Sequence, residues 1–314
     1  MKTQLKADMM LMVVTLCWGV SYFLMDVALQ DMGAFTLNTY RFVGAFVIAG
    51  IIAFPKLKTV NKTTLKYSCL IGFALVFVYI GATFGVQHTT LSNSGFLCAL
   101  TVVFIPLFEM IIFRKKQEGK LMISVLLCLV GIALLTLSDD FTINFGNLKG
   151  DLLCMGCAVA YAIDLMLTEK AVANKEVNAF QLGVFQLGFT GLFNLILCLI
   201  FEKPALPTQP NTIFAVVFLS VFCTGVAFIV QAVAQKYTKA SHVGVIFSLE
   251  PVFASVTAFV FAGEILTTKS YIGACLMLIS ILVMEMDVKA MIKRRKERVT
   301  GKLIFEEMDD KDDE

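Results

Sequence analysis

Ten apolar stretches, each about 18–25 residues long, partition this chain and leave it few ways to fold. They run Ala7–Leu29, Ala34–Phe54, Tyr67–Gln87, Leu91–Phe113, Leu121–Ser138, Asp151–Ala171, Asn178–Phe201, Thr212–Gln235, Ala240–Ala262 and Ser270–Asp287. At about 1.5 Å per residue, each is long enough to cross a hydrocarbon layer about 30 Å thick. The cations divide as sharply. Lys56, Lys58, Lys62 and Lys66, then Arg114, Lys115, Lys116 and Lys120, then Lys170 and Lys175, then Lys236 and Lys239 fill alternate connections, with Lys2, Lys6 and the tail beside them. Of the 26 Lys and Arg, only Lys149, Lys203 and Lys269 fall opposite, and Arg41 lies inside a span. Lys and Arg accumulate on the cytoplasmic side. The sequence therefore predicts an all-α, multi-pass protein of the cell membrane with both termini cytoplasmic.

The chain is 58% apolar and 16% charged, and its connections are too short for a folded soluble domain. Its net charge of +2 sits in loops that flank membrane spans, so it speaks of orientation and excludes a nucleic-acid surface. Lys2 and Lys6 precede an apolar run too long for a signal peptide core, with no small-residue cleavage site after it, so the first span is expected to be a retained helix. The 9 cysteines all lie within spans, which argues against a disulfide framework or a zinc site and implies no metal or cofactor. Cys154 and Cys157 form a C-x-x-C that a membrane thiol oxidoreductase could use; the bland alternative is two small residues facing a neighbouring helix. In the tail, residues 288–314, Lys289, Lys293, Arg294, Arg295, Lys296 and Arg298 suit anionic headgroups, and Glu306–Glu314 is strongly acidic.

An internal repeat underlies the spans. Ala34-Phe-Thr-Leu-Asn-Thr-Tyr-Arg-Phe42 is echoed by Ala179-Phe-Gln-Leu-Gly-Val-Phe-Gln-Leu187, which sets Gln186 opposite Arg41. The same offset relates Phe104-Ile-Pro106-Leu-Phe108 to Leu249-Glu-Pro251-Val-Phe253, and nearly the same one relates Trp18-Gly19 to Tyr161-Ala162. The halves, 7–138 and 150–287, hold five spans each. An odd number turns the second half upside down, the inverted-repeat plan of secondary transporters, whose solute site lies near the midplane.

These residues carry a family resemblance over 7–287. Cys17-Trp18-Gly19-Val20-Ser21, the run Phe96–Pro106, Gly150-Asp151, and Leu249-Glu250-Pro251-Val252-Phe253 with Gly263-Glu264 make the chain similar to the drug/metabolite transporter superfamily, in its branch with two EamA-type repeats. The resemblance implies ten helices, with spans one to four and six to nine around a central cavity and five and ten outside. The chain departs from its own symmetry at one point: Ile105 precedes the proline where the second half has Glu250.

Helical spacing marks the faces that could meet water. Thr224, Phe228, Gln231 and Gln235 share one face of the eighth span; Tyr79, Thr83 and Gln87 one of the third; Cys157, Tyr161, Asp164 and Thr168 one of the sixth; Trp18, Ser21 and Tyr22 one of the first. Interhelical hydrogen bonding explains any single one of these, whereas four such faces suggest a shared lumen. Arg41 lies about 10 Å inside its span with Asn38 one turn away, and either a solute or an ion pair with Asp26 would answer its charge. Asp164 and Glu250 fall near midspan; Pro251 frees the Phe247 carbonyl, so Glu250 also has a structural reading. Gly81-x-x-x-Gly85 reads as close packing within the chain, and His88 and His242 as interfacial.

The function expected is alternating-access transport of small organic solutes (amino acids, metabolites or drugs), proton-coupled through a midspan carboxylate, by a monomer in the bilayer. The binding set is Trp18, Ser21, Tyr22, Asn38, Arg41, Tyr79, Thr83, Tyr161, Asp164, Gln186, Thr224, Phe228, Gln231 and Glu250. One Arg among aromatics and amides suits a zwitterion or carboxylate. The alternative is the Cys154/Cys157 oxidoreductase. No H-E-x-x-H, selectivity-filter loop or phosphate-binding G-x-x-x-x-G-K-[ST] points to a protease, a channel or an ATP-driven pump.

Overall fold

The computed structural model describes residues 2–89, 91–114, 116–136, 148–262 and 268–285. The Gly263-Glu264 motif, the connection holding Asn144 and the basic-then-acidic tail lie outside these residues. Every element within them is helical: α1 (Lys2–Leu29), α2 (Ala34–Leu57), α3 (Lys62–His88), α4 (Leu91–Ala99), α5 (Thr101–Phe113), α6 (Gly119–Thr136), α7 (Leu148–Ala173), α8 (Ala179–Phe201), α9 (Pro210–Phe218), a π-helical segment (Leu219–Val226), α10 (Ala227–Ala234), α11 (Ala240–Phe247), α12 (Glu250–Ala262) and α13 (Thr268–Glu285).

Their surface is inverted relative to a water-soluble protein. Ile51, Ile52, Phe201 and Leu282 are exposed, whereas Asn38, Gln186, Asn194 and Gln231 are completely buried. Lipid rewards that arrangement, because polar groups facing hydrocarbon find no hydrogen-bond partner there. Seven helical stretches are long and apolar enough to cross a membrane: Gln4–Leu29, Ala34–Leu57, Lys62–His88, Leu148–Ala173, Ala179–Phe201, Pro210–Ala234 and Ala240–Thr257. Of the ten spans expected, the fourth, fifth and tenth are represented by shorter apolar helices, Leu97–Ile112, Gly119–Leu134 and Tyr271–Met284. The last two border residues outside the description.

Local chemistry sets the helix ends. Asn61 accepts the Thr64 N–H at 2.7 Å to open α3, and Asn178 accepts those of Phe180 and Gln181 to open α8. Pro210 takes the first position of α9, where a missing N–H costs nothing. Two of the expected spans are interrupted. Both Val103 and Phe104 donate to the Leu100 carbonyl between α4 and α5, and both Val252 and Phe253 donate to that of Leu249 between α11 and α12. The two breaks share one hydrogen-bond pattern, each on the N-terminal side of a proline at the matching place in its half, Pro106 or Pro251.

The main packing partners are α2 with α8, α3 with α7, and α6 with α13; α1 lies along α12 and along the α9–π–α10 rod. Gly81 permits the α3–α7 contact, since a Cβ there would stand 2.6 Å from the Leu153 carbonyl oxygen. The GxxxG motif thus packs within the chain.

α8 also caps α2 from outside. Glu202 Oε1 accepts the Phe35 N–H at 3.0 Å, and Oε2 accepts the Thr36 N–H and hydroxyl at 2.8 Å each. A carboxylate here meets both the orphan donors and the positive end of the helix dipole. Glu202→Ala is expected to cost about 1–2 kcal/mol, read as a lower midpoint in denaturant unfolding of the purified protein. Asp31 similarly accepts the Thr208 and Gln209 N–H groups at the entry to α9. These bonds, the Thr208 N–H foremost, hold its carboxyl below the usual carboxylate range. This tether is present at neutral pH and is lost as the pH falls through that lowered value.

Candidate functional site

Among these helices a cavity is lined from α1 by Trp18, Ser21, Tyr22 and Met25, from α2 by Arg41, and from α3 by Val78, Tyr79 and Ala82. Cys98 of α4, Cys157 and Tyr161 of α7, Phe228 of α10 and Glu250 of α12 close it. Neither α6 nor α13 contributes a lining residue. Spans five and ten, which pack on each other, thus stay out of the wall, and so does α8, the seventh span, which the resemblance placed around the cavity.

Aromatic rings from four helices, Trp18, Tyr22, Tyr79, Tyr161 and Phe228, stand in that wall. Trp18 meets Phe247, Phe228 and Tyr161 with centroids 4.7, 5.6 and 5.8 Å apart, and Tyr79 meets Phe42 at 4.6 Å and Phe228 at 6.0 Å. Such edge and tilted contacts fix ring positions beyond what burial alone would do. The π segment anchors Trp18. In a regular helix the Ala227 N–H would take the Cys223 carbonyl; here it reaches Phe222 and Thr224, and the Trp18 indole N–H occupies the Cys223 oxygen at 2.8 Å.

Arg41 is 1% exposed. Its Nε donates to Thr224 Oγ1 at 2.9 Å, one Nη to the Met25 sulfur at 3.4 Å, and its guanidinium lies 4.6 Å from the Tyr79 ring centroid. All these partners are neutral. Asp26 is exposed, and no ion pair to Arg41 is formed among the described residues, so the structural pairing weighed in the sequence is absent. A buried guanidinium without a counter-charge is costly unless an anion arrives. Glu250, half-buried, lines the same cavity from α12.

Eight of the expected binding residues thus share the cavity: Trp18, Ser21, Tyr22, Arg41, Tyr79, Tyr161, Phe228 and Glu250. The other six lie behind its wall. Thr83 donates to Asn38 at 3.1 Å, Thr224 holds Arg41, Gln186 donates to the Phe228 carbonyl at 3.4 Å, and Gln231 bonds both Tyr161 and Asp164. They order the residues that line the space. Missed from the sequence were Met25, which continues the Trp18–Ser21–Tyr22 face by one more turn, Val78 and Ala82, apolar neighbours of the Tyr79 stripe, and Cys98, which no spacing would have marked. Cys157 lines the cavity and Cys154 is completely buried, so the C-x-x-C pair has one member that nothing outside the helices reaches.

Sequence comparison bears on what this cavity serves. The family model described as "EamA-like transporter family" matches residues 5–137 and again 148–286. The chain belongs to the EamA-like transporter family. It is a multi-pass membrane transporter, and its family implies a small-solute substrate. An uncharacterized transporter of Archaeoglobus fulgidus is 29% identical over 287 residues, 91% of this chain and 87% of that one. An uncharacterized transporter of Methanothermobacter thermautotrophicus is 26% identical, over 86% of this chain and 83% of its own. A solved crystal structure superposes with a TM-score of 0.74 at 17% identity, covering 93% of this transporter and 99% of that chain, a likeness of fold.

Proposed function

We propose that the cavity is the solute site of a ten-helix secondary transporter made of two inverted repeats, 7–138 and 150–287, working by alternating access as a monomer in the cell membrane. The observation that carries this reading is Arg41: a buried cation on the cavity wall whose partners are all neutral. It favours a small solute bearing a carboxylate, with the aromatic walls covering its apolar part and Glu250 available to an amino group. The packing supports the repeat. α2 and α8 are counterparts that lie on each other, as are α6 and α13, and the contact of α3 with α7 is mirrored by that of α1 with α9–π–α10. Transport runs outward and is coupled to protons through a midspan carboxylate, Asp164 or Glu250.

Two measurements test this. Metabolite profiling of a deletion strain should show intracellular accumulation of a carboxylate-bearing solute, and proteoliposomes should carry that solute; a spectrum confined to uncharged compounds would sink the reading of Arg41. For orientation, single cysteines at Asn61, Gln117 and Thr238 are expected to resist an impermeant thiol reagent in intact cells, while those at Asn144 and Thr208 react. Reversal at two of these positions would overturn the topology.

A further inference from the structure

Behind the cavity wall lies a polar cluster that no solute contact explains. Asp164 on α7 has no exposed surface. Its Oδ2 accepts one bond, from Gln231 Nε2 at 3.3 Å, while Oδ1 is buried without a hydrogen-bond partner. Thr168 Oγ1, one turn further along α7, is also buried without one.

The polarity of this cluster is set from its far end. A carbonyl only accepts, so Gln235 must present Nε2 to the Leu165 oxygen, at 2.9 Å. Gln235 Oε1 then faces Gln231, which offers Nε2 to it at 3.4 Å and to Asp164 Oδ2. Gln231 Oε1 is left to accept the Tyr161 hydroxyl, at 2.9 Å. Asp164 Oδ2 is therefore an acceptor, and a proton on this carboxyl has only Oδ1 to occupy. The Thr168 hydroxyl oxygen, four residues on, is an orphan on the same helix face.

Among the described residues no positively charged group bonds the carboxylate. α10 presents the amides of Gln231 and Gln235, α3 the Tyr79 phenol and α4 the Cys98 thiol. On α11, His242 bonds Gln4, and on α5 Glu109 bonds Gln117. On α7 itself stand Cys157, Tyr161 and Glu169, whose carboxylate accepts the Ala240 N–H. One amide donor is too little to keep an ionised carboxylate buried, which otherwise costs several kcal/mol.

We propose that Asp164 Oδ1 is a proton site separate from the solute cavity, joined to it through the Gln231 amide and the Tyr161 hydroxyl. The proposal rests on the transport reading of the cavity and assigns its coupling site. Loss of the proton leaves a full charge on Asp164, which strengthens the bond from Gln231 Nε2. The polarised amide then holds the Tyr161 hydroxyl more tightly through Oε1. Proton binding relaxes both bonds. The cavity wall feels the proton without the proton entering the cavity, and Glu250, which does line it, remains a solute-facing group.

The chain carries its own reporter. Its 1 tryptophan, Trp18, stands 5.8 Å from Tyr161. With the purified protein in lipid nanodiscs and no solute present, tryptophan emission followed against pH should show one titration step. The step should vanish in Asp164→Asn, return with a displaced midpoint in Asp164→Glu, and persist in Glu250→Gln. Gln231→Leu should lose the emission step yet keep the protonated-carboxyl band in infrared difference spectra. A wild type with no step, a full step in Asp164→Asn, or an identical emission change on adding sodium at fixed pH would each overturn the proposal. A wild type that titrates as described but moves no solute would leave the proton site standing and refute the transport function instead.

Discussion

Arg41→Gln is expected to reduce solute transport by roughly 30- to 700-fold in proteoliposomes, with the variant still inserted and monodisperse. The magnitude follows from removing one member of a buried charge pair, about 2–4 kcal/mol at about 1.4 kcal/mol per tenfold. Among the described residues the Arg41 guanidinium meets Thr224, Met25 and the Tyr79 and Phe42 rings, all neutral, so a solute carboxylate would supply a full counter-charge. Arg41→Lys keeps the charge but cannot hold Thr224 and a carboxylate in one planar fork, and an intermediate loss is expected. Wild-type rates in Arg41→Gln would remove Arg41 from the binding site.

Gly81→Leu is expected to leave no monodisperse protein, because α3 and α7 touch at backbone distance there. A Cβ at Gly81 would stand 2.6 Å from the Leu153 oxygen and 2.8 Å from the Cys157 nitrogen, atoms that cannot turn aside. The strain exceeds the roughly 1–3 kcal/mol of ordinary overpacking, since whole helices must part. Gly156→Leu is the matched control: it lies on α7, and its Cβ would meet nothing within 4 Å. Size-exclusion profiles in mild detergent distinguish the two. A normal profile for Gly81→Leu would mean that the helices separate more freely than this contact allows.

Much of the architecture was legible because lipid imposes a simple rule: apolar residues outward, backbone satisfied within each helix. The effect of Pro251 and the polar faces were read from local chemistry, whereas the third span was read from Tyr67 although α3 opens at Lys62 behind its Asn61 cap. The cap on α2 was not legible, because Glu202 reaches Phe35 and Thr36 from far along the chain. Periodicity shows which face of a helix is polar; it does not show what satisfies that face. Tyr79 and Thr83 share a stripe, yet Tyr79 lines the cavity and Thr83 is spent on Asn38. Asp164 and Tyr161 divide in the same way. The π segment left no mark, since the Thr224–Phe228–Gln231–Gln235 spacing is that of an ordinary helix from Thr224 onward.

That wide turn makes the eighth rod behave like a lattice with a dislocation in it. A regular helix can rotate only as one body, but a wide turn moves along its axis by exchanging one hydrogen bond at a time for its neighbour. Each step would turn the residues it passes by about 100° without opening the ladder. Phe228 and Gln231 lie directly beyond the Leu219–Val226 segment, with Thr224 inside it. The groups that touch Arg41, Trp18 and Tyr161 could therefore be re-aimed by sliding a defect, while both ends of the rod stay anchored in the membrane.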